Sequence, residues 1–165
     1  MPNFFRRHPA TLLPFAFAAA LVGGCVQESA EQQLSKAKSH VEQSERPQAI
    51  IRLKSALQGD PALQEARYLL GVALLESGDA VGAQIELRKL REAGYRTEDV
   101  VPRLAQAMLK AGNVDRLLTE LGQESLQSHS GQAELKAAIA MAHGARGKLE
   151  LAGEAVQAAL KRDPE

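Results

Sequence analysis

The chain has 165 residues, equal numbers of basic and acidic side chains, few aromatics and a single cysteine. That length suits one domain with a short extra segment. The balanced charge, with no basic stripe, argues against nucleic acid as a partner, and one cysteine excludes a disulfide within the chain. The first 24 residues do not read as part of the fold. Arg6, Arg7 and His8 form a positive start, and Leu12 to Val22 is an apolar run too short for a comfortable membrane span. The run ends in Val22-Gly23-Gly24-Cys25, and removing Arg6 and Arg7 with it tips the remainder slightly acidic.

Small residues just before a cysteine, after such an apolar run, resemble the lipobox of bacterial lipoproteins. The resemblance implies a signal peptide over 1–24, cleavage before Cys25, and lipid on its thiol and amine. It also accounts for the otherwise stray thiol of a secreted chain with one cysteine. Several acyl chains anchor stably where one is marginal. Val26, where an Asp would favour retention in the inner membrane, points to the outer membrane and a periplasm-facing protein. Residues 25–30 are then a lipidated tether.

From there the chain reads as helix hairpins. A first helix over about Glu28 to Gln43 carries Leu34, Ala37 and Val41 inward. Ser44 to Arg46 turn, and Pro47 falls in the first turn of the next helix, where its missing N–H costs nothing. Ala49, Ile50, Leu53, Ala56 and Leu57 are the stripe of that helix. Gly59-Asp60-Pro61 reads as a helix stop, an N-cap and a first helical position. In Glu65 to Leu90, apolar residues at helical spacing break at Ser77-Gly78-Asp79 and resume at Ala83, Ile85, Leu87 and Leu90. Gly71 and Ala83 are small where two helices must touch, so the pattern sets Gly71 against Ala83 and Ala105 near Leu117. Asp79 caps the second of these helices and Gly94-Tyr95 ends it. Thr97 caps the next helix, with Glu98 and Asp99 in its first turn. Val100, Val101, Leu104, Ala105, Met108 and Leu109 form its apolar face. Gly112-Asn113 turn, and Val114 to Leu121 is short because Gly122 interrupts it. Gln123 to Gly131 is the weakest stretch and the expected flexible joint. Ser130 or Gly131 opens an Ala-rich helix, Gly147 turns the chain, Leu149 to Leu160 pairs with it, and Asp163-Pro164 closes the last unit.

The hairpins recur. Gly71, Ala83 and Leu87 step back 34 residues to Ala37, Ala49 and Leu53, forward 34 to Ala105, Leu117 and Leu121, and a further 35 to Ala140, Ala152 and Val156. Gly78, Gly112 and Gly147 keep the same interval. A helix-pair period of about 34 residues resembles the tetratricopeptide repeat. The expected fold is all-α, a right-handed tetratricopeptide-repeat superhelix of four pairs, at about 31–61, 64–95, 98–126 and 132–164. The array lacks a polar capping helix after Pro164, which leads to the expectation of a longer parent protein.

No catalytic constellation is visible. His40, His129 and His143 lack metal-ligand spacing, and no H-E-x-x-H, G-x-S-x-G or phosphate loop occurs. His143 reads as a packing residue, and Glu150 and Glu154 as a solvated like-charge pair. No enzyme activity, cofactor or metal is expected. The first helix of each pair lines the concave side of such an array. The register puts Leu34, Lys38, Val41, Glu65, Tyr68, Val72, Leu75, Gln106, Leu109, Lys110 and Met141 there. Tyr68 reads equally as an interface anchor or as packing between repeats. The face lacks the Lys and Asn cluster that would clamp a C-terminal carboxylate.

The lipobox followed directly by RLKSALQGDP at Arg52 to Pro61, EARYLLGVALLESGD at Glu65 to Asp79, ELRKLREAGY at Glu86 to Tyr95 and VVPRLAQAMLKAGN at Val100 to Asn113 is more specific than the repeat alone. It resembles the tetratricopeptide-repeat lipoproteins of the PEP-CTERM/exosortase system, the PrsT family, over Ser35 to Glu165. The resemblance implies an envelope scaffold whose partners are proteins of the envelope or the polysaccharide-export machinery, with the membrane held through the lipid on Cys25. It supplies no catalytic residues. The other readings are a generic outer-membrane assembly lipoprotein and the accessory repeat region of a longer enzyme.

Overall fold

Four helix hairpins follow one another, and each turns on a residue with left-handed backbone. The computed structural model describes residues 28–162. The helices are α1 Ala30–Glu42, α2 Arg46–Gly59, α3 Gln64–Glu76, α4 Ala80–Glu92, α5 Thr97–Lys110, α6 Val114–Leu121, α7 His129–Ala145 and α8 Leu149–Arg162. No strand occurs among the described residues. The cleavage site at Cys25 and the closing Asp163-Pro164 lie outside them.

The turns share one hydrogen-bond pattern. At the first, Ser44 N–H donates to the Val41 carbonyl at 3.0 Å and Glu45 N–H reaches back to His40 at 2.8 Å. Gly78, Gly112 and Gly147 repeat it, with Asp79, Asn113 and Lys148 closing onto Leu74, Met108 and His143. These paired bonds satisfy carbonyls that the helix end would otherwise orphan, and they need a positive φ. Gly78, Gly112 and Gly147 have φ of 92°, 76° and 69°, and Ser44 takes 59° without being glycine. Ser44 therefore occupies the same place in the repeat as the three glycines, 34 residues before Gly78.

Several helix starts differ from the expected ones. Ser29 caps α1 with a reciprocal box to Gln32, one residue inside the expected start. Asp60 and Pro61 do not open α3. Asp60 Oδ1 accepts from Ala62 N–H at 2.8 Å, so Asp-Pro makes a turn, and α3 begins at Gln64. Gly59 stays helical, and its smallness serves packing: a Cβ there would lie 3.2 Å from that of Ala30. Thr97 is already helical; the cap position falls to Arg96, in left-handed backbone at φ 43°. Ser128 rather than Ser130 caps α7, accepting from Gly131 N–H. Asp79 does cap α4, through Gly82 N–H at 2.8 Å.

Each second helix packs on the first helix of its own pair, and α2, α4 and α6 pack on that of the next as well, so one core runs through the stack. Leu53, Leu87, Leu117, Leu121, Leu104, Met108 and Leu135 are fully buried in it. The side chain over Gly71 is Leu87, not Ala83: a Cβ on Gly71 would lie 2.8 Å from Leu87 Cγ. The contact is one helical turn further along α4 than the matching of small residues suggests. Ala105 and Leu117 are both fully buried where α5 and α6 pack together.

The stretch after α6 is irregular, as expected, but it is tied down. Glu98 accepts from Gln127 N–H at 3.1 Å and from Ser128 N–H at 2.8 Å. Buried Gln132 accepts from Leu126 N–H, and Leu126 is itself in the core. Gly131 lies so close under α5 that a Cβ would come within 2.7 Å of the Glu98 carbonyl oxygen. Buried polar atoms with partners carry little desolvation cost, so this segment is a bracket between α5 and α7 rather than a slack joint.

Candidate inner-face binding site

The repeat register assigns the inner row to the first helices, α1, α3, α5 and α7. α5 packs directly on α3 and on α7, and an ion pair bridges the second helices α4 and α6. Arg88 of α4 reaches Glu120 of α6 at 2.6 Å, and Arg91 reaches Glu124 beyond α6 at 2.8 Å. Burial by itself would raise the Glu120 carboxyl, but hydrogen bonds from Arg116 and Arg88 outweigh it and hold the group below its ordinary value.

Four of the sequence-selected residues bridge consecutive first helices. Lys38 of α1 pairs with Glu65 of α3 at 2.8 Å. Tyr68 of α3 is half-buried against the core, and the Arg96 guanidinium lies 4.5 Å above its ring. Gln106 of α5 donates to Glu134 of α7 at 3.3 Å. Arg96 also binds Asp99 at 2.8 Å, and that hydrogen bond is the main reason its pKa is raised. Tyr68 thus packs between repeats, and its remaining edge borders a small depression with Asp99, Arg103, Ser130 and Glu134. The depression holds about 60 Å³, room for one small side chain and far below the size of a cofactor site.

The other selected residues separate. Val41 and Val72 line a second small hollow where the α1–α2 turn meets α3, beside Arg46, Leu69 and Glu76. Lys110 is exposed at the end of α5. Leu34 and Leu75 are core residues, and Leu109 is half-buried against that core; a first helix is touched by neighbours on two sides, so its apolar stripe is wider than the face it turns from solvent. Met141 is exposed, but it borders a groove between α7 and α8 with Val156 and Leu160, not the inner row. Sequence reasoning missed Arg96, Arg103 and Glu134. Arg96 stands in the turn before α5 and Glu134 follows the irregular stretch, so no periodicity marks either.

A larger groove, about 470 Å³, opens on the outer side between α2 and α4. Two of its three cations are already engaged: Arg67 binds Glu86 and the Pro61 carbonyl, and Lys89 binds Glu86 at 3.0 Å. No cluster of three or more His, Cys, Asp and Glu side chains fit for a metal occurs among the described residues. His143 Nδ1 is buried without a hydrogen-bond partner, as an imidazole held by packing.

Residues 40–101 match the family model for the tetratricopeptide repeat. The structure described as MamA MSR-1 C2 superposes with a TM-score of 0.71 at 20% identity, over 83% of this chain and 78% of that one. That described as MamA AMB-1 C2221 gives 0.69 at 21% identity, over 82% and 79%. The fold is a tetratricopeptide-repeat superhelix. No curated protein matches the sequence significantly. Arrays of this fold present extended concave surfaces.

Proposed function

We propose that this chain is a lipid-anchored scaffold of the bacterial envelope that holds a protein segment along the inner face of α1, α3 and α5. The observation that carries the reading is the row of bridging groups at Lys38–Glu65, Tyr68–Arg96 and Gln106–Glu134. Charges of both signs alternate there around one aromatic ring. Such a face suits a mixed-charge, extended or helical protein segment, with one small side chain entering the depression beside Tyr68. It does not suit a polyanion.

The envelope location rests on the sequence. The charged start, the Leu12 to Val22 run and Gly23-Gly24 before Cys25 support lipidation, and Val26 supports the outer membrane. The lipobox joined to the Arg52 to Asn113 motifs supports a role in exopolysaccharide biosynthesis and PEP-CTERM protein export. No helix of the described residues is long and apolar enough to cross a membrane.

Affinity capture from the native envelope tests the binding reading. Tyr68→Ala combined with Lys38→Glu should lower recovery of the partner more than tenfold, the scale of a lost interface hot spot. Ile51→Glu, on the exposed outer side of α2, should leave it unchanged. Equal losses from both changes would sink the inner-face reading. Membrane fractionation and intact mass of the mature N-terminus test the anchor, which fails if Cys25 is unmodified. Exosortase and polysaccharide genes beside its own are the expected setting for the export role, and a neighbourhood without them argues for general envelope assembly.

A further inference from the structure

The outer side of the stack is bridged at one repeat and open at the one before it. Arg88 of α4 crosses to Glu120 of α6 at 2.6 Å, and Arg91 reaches Glu124 at 2.8 Å. One repeat of 34 residues earlier, the positions of Arg88 and Glu120 hold Lys54 and Glu86. The two charges are in register, yet they do not pair. Glu86 binds Arg67 of α3 and Lys89 of its own helix instead. Arg67 is what diverts it. The counterpart of Arg67 one repeat on is Val101, an apolar residue fully buried in the core. The counterpart of Arg91 is Leu57, which can make no ion pair. Lys54 is therefore left exposed, without an acidic partner among the described residues. The groove of about 470 Å³ between α2 and α4 is the space these exchanges leave open. Leu57 and the exposed Ile85 stand on its two helices, and Leu70 and Leu74 of α3 lie between them.

We propose that this groove docks an acidic segment of a partner protein, separate from the segment held along the inner face. A Glu or Asp of that segment pairs with Lys54, in place of the bridge that Glu120 makes one repeat on. An aliphatic side chain beside the acid covers Leu57 and Ile85. Charge and lining both select this occupant. Only one of the three cations is unpaired, so the groove takes one carboxylate and not a polyanion, whose binding needs many such contacts. An exposed ion pair contributes little by itself. The apolar contact therefore supplies most of the affinity, and Lys54 supplies the selection of partner.

Selection of random peptides on the full chain tests it. A phage-displayed peptide library is panned on the native chain, and the recovered peptides are synthesised and measured by fluorescence anisotropy. The expected peptides carry Glu or Asp close to Leu, Ile or Val. They should bind the Lys54→Glu chain at least tenfold more weakly, because like charges then face each other. Replacing their acid with Lys should restore binding to Lys54→Glu and remove it from the native chain. Far-UV circular dichroism of Lys54→Glu should be unchanged, since the side chain is exposed. Tyr68→Ala should leave these peptides bound, which separates this outcome from that of the inner-face reading. A selection without such peptides would overturn the proposal. So would acidic peptides indifferent to Lys54→Glu, peptides lost with Tyr68→Ala, or binding that does not follow the charge swap.

Discussion

Filling the space at Gly71 measures how tightly the second hairpin is set. A Cβ at this position would lie 2.8 Å from Leu87 Cγ and 2.9 Å from Leu87 Cδ2. Leu87 is fully buried, so it cannot swing aside without displacing its own neighbours. Overpacking of this kind costs about 1–3 kcal/mol. Replacing glycine with alanine inside a helix returns about 1 kcal/mol of propensity. Gly71→Ala should therefore destabilise by up to about 2 kcal/mol. Leu87→Ala alone should cost about 2–5 kcal/mol through the cavity it leaves. In that background the clashing atoms are gone, so Gly71→Ala should become stabilising by about 1 kcal/mol. Urea unfolding of the four proteins gives the coupling, which should be about 1–3 kcal/mol. Strict additivity, or a Gly71→Ala that stabilises the wild type by the full propensity gain, would refute the contact and the register built on it.

Three further outcomes follow from individual sites. Ser44→Gly should raise stability by about 0.5–1 kcal/mol, because Ser44 holds a left-handed backbone that glycine adopts without strain; a fall in melting temperature would contradict that. Glu98→Ala should speed amide exchange at Gln127 and Ser128, whose N–H groups it accepts, and cost about 1–3 kcal/mol; unchanged exchange there would restore the slack joint read from the sequence. Glu120→Gln should destabilise at neutral pH but hardly in acid. Burial alone would raise the carboxyl, but the Arg116 and Arg88 hydrogen bonds hold it below its ordinary value, so its contribution is full above the unfolded value and is lost as pH falls through the folded one; a deficit that does not shrink as the pH is lowered through the acid range would exclude the Arg88 and Arg116 contacts as its source.

Much of the architecture was legible because solenoid packing repeats the same demands. Gly78, Gly112 and Gly147 mark turns that all need a positive φ, and Gly122 ends α6 where expected. Ser44 was read as opening its turn, but its left-handed backbone was not, because serine does not mark a positive φ as glycine does, although the interval pointed to it. Asp60-Pro61 misled because the pair is as good a turn as it is a helix start, and only Ala62 N–H decides between them. The inner face was half legible. Lys38, Glu65, Tyr68 and Gln106 stand at the surface of first helices with partners in the neighbouring repeat. Leu34, Leu75 and Met141 do not, because periodicity shows that a position is apolar but not which neighbour covers it. The outer bridges from Arg88 and Arg91 join residues more than 30 apart and leave no local pattern.

The inner-face scaffold is tested most directly by amide hydrogen exchange of the chain with and without its captured partner. Binding should slow exchange in α3 and α5 and in the bracket after α6, where Tyr68, Arg103 and Ser130 border one depression. The outer helices α2 and α4 should keep their rates. Protection confined to α2 and α4 would place the partner in the outer groove and contradict the account.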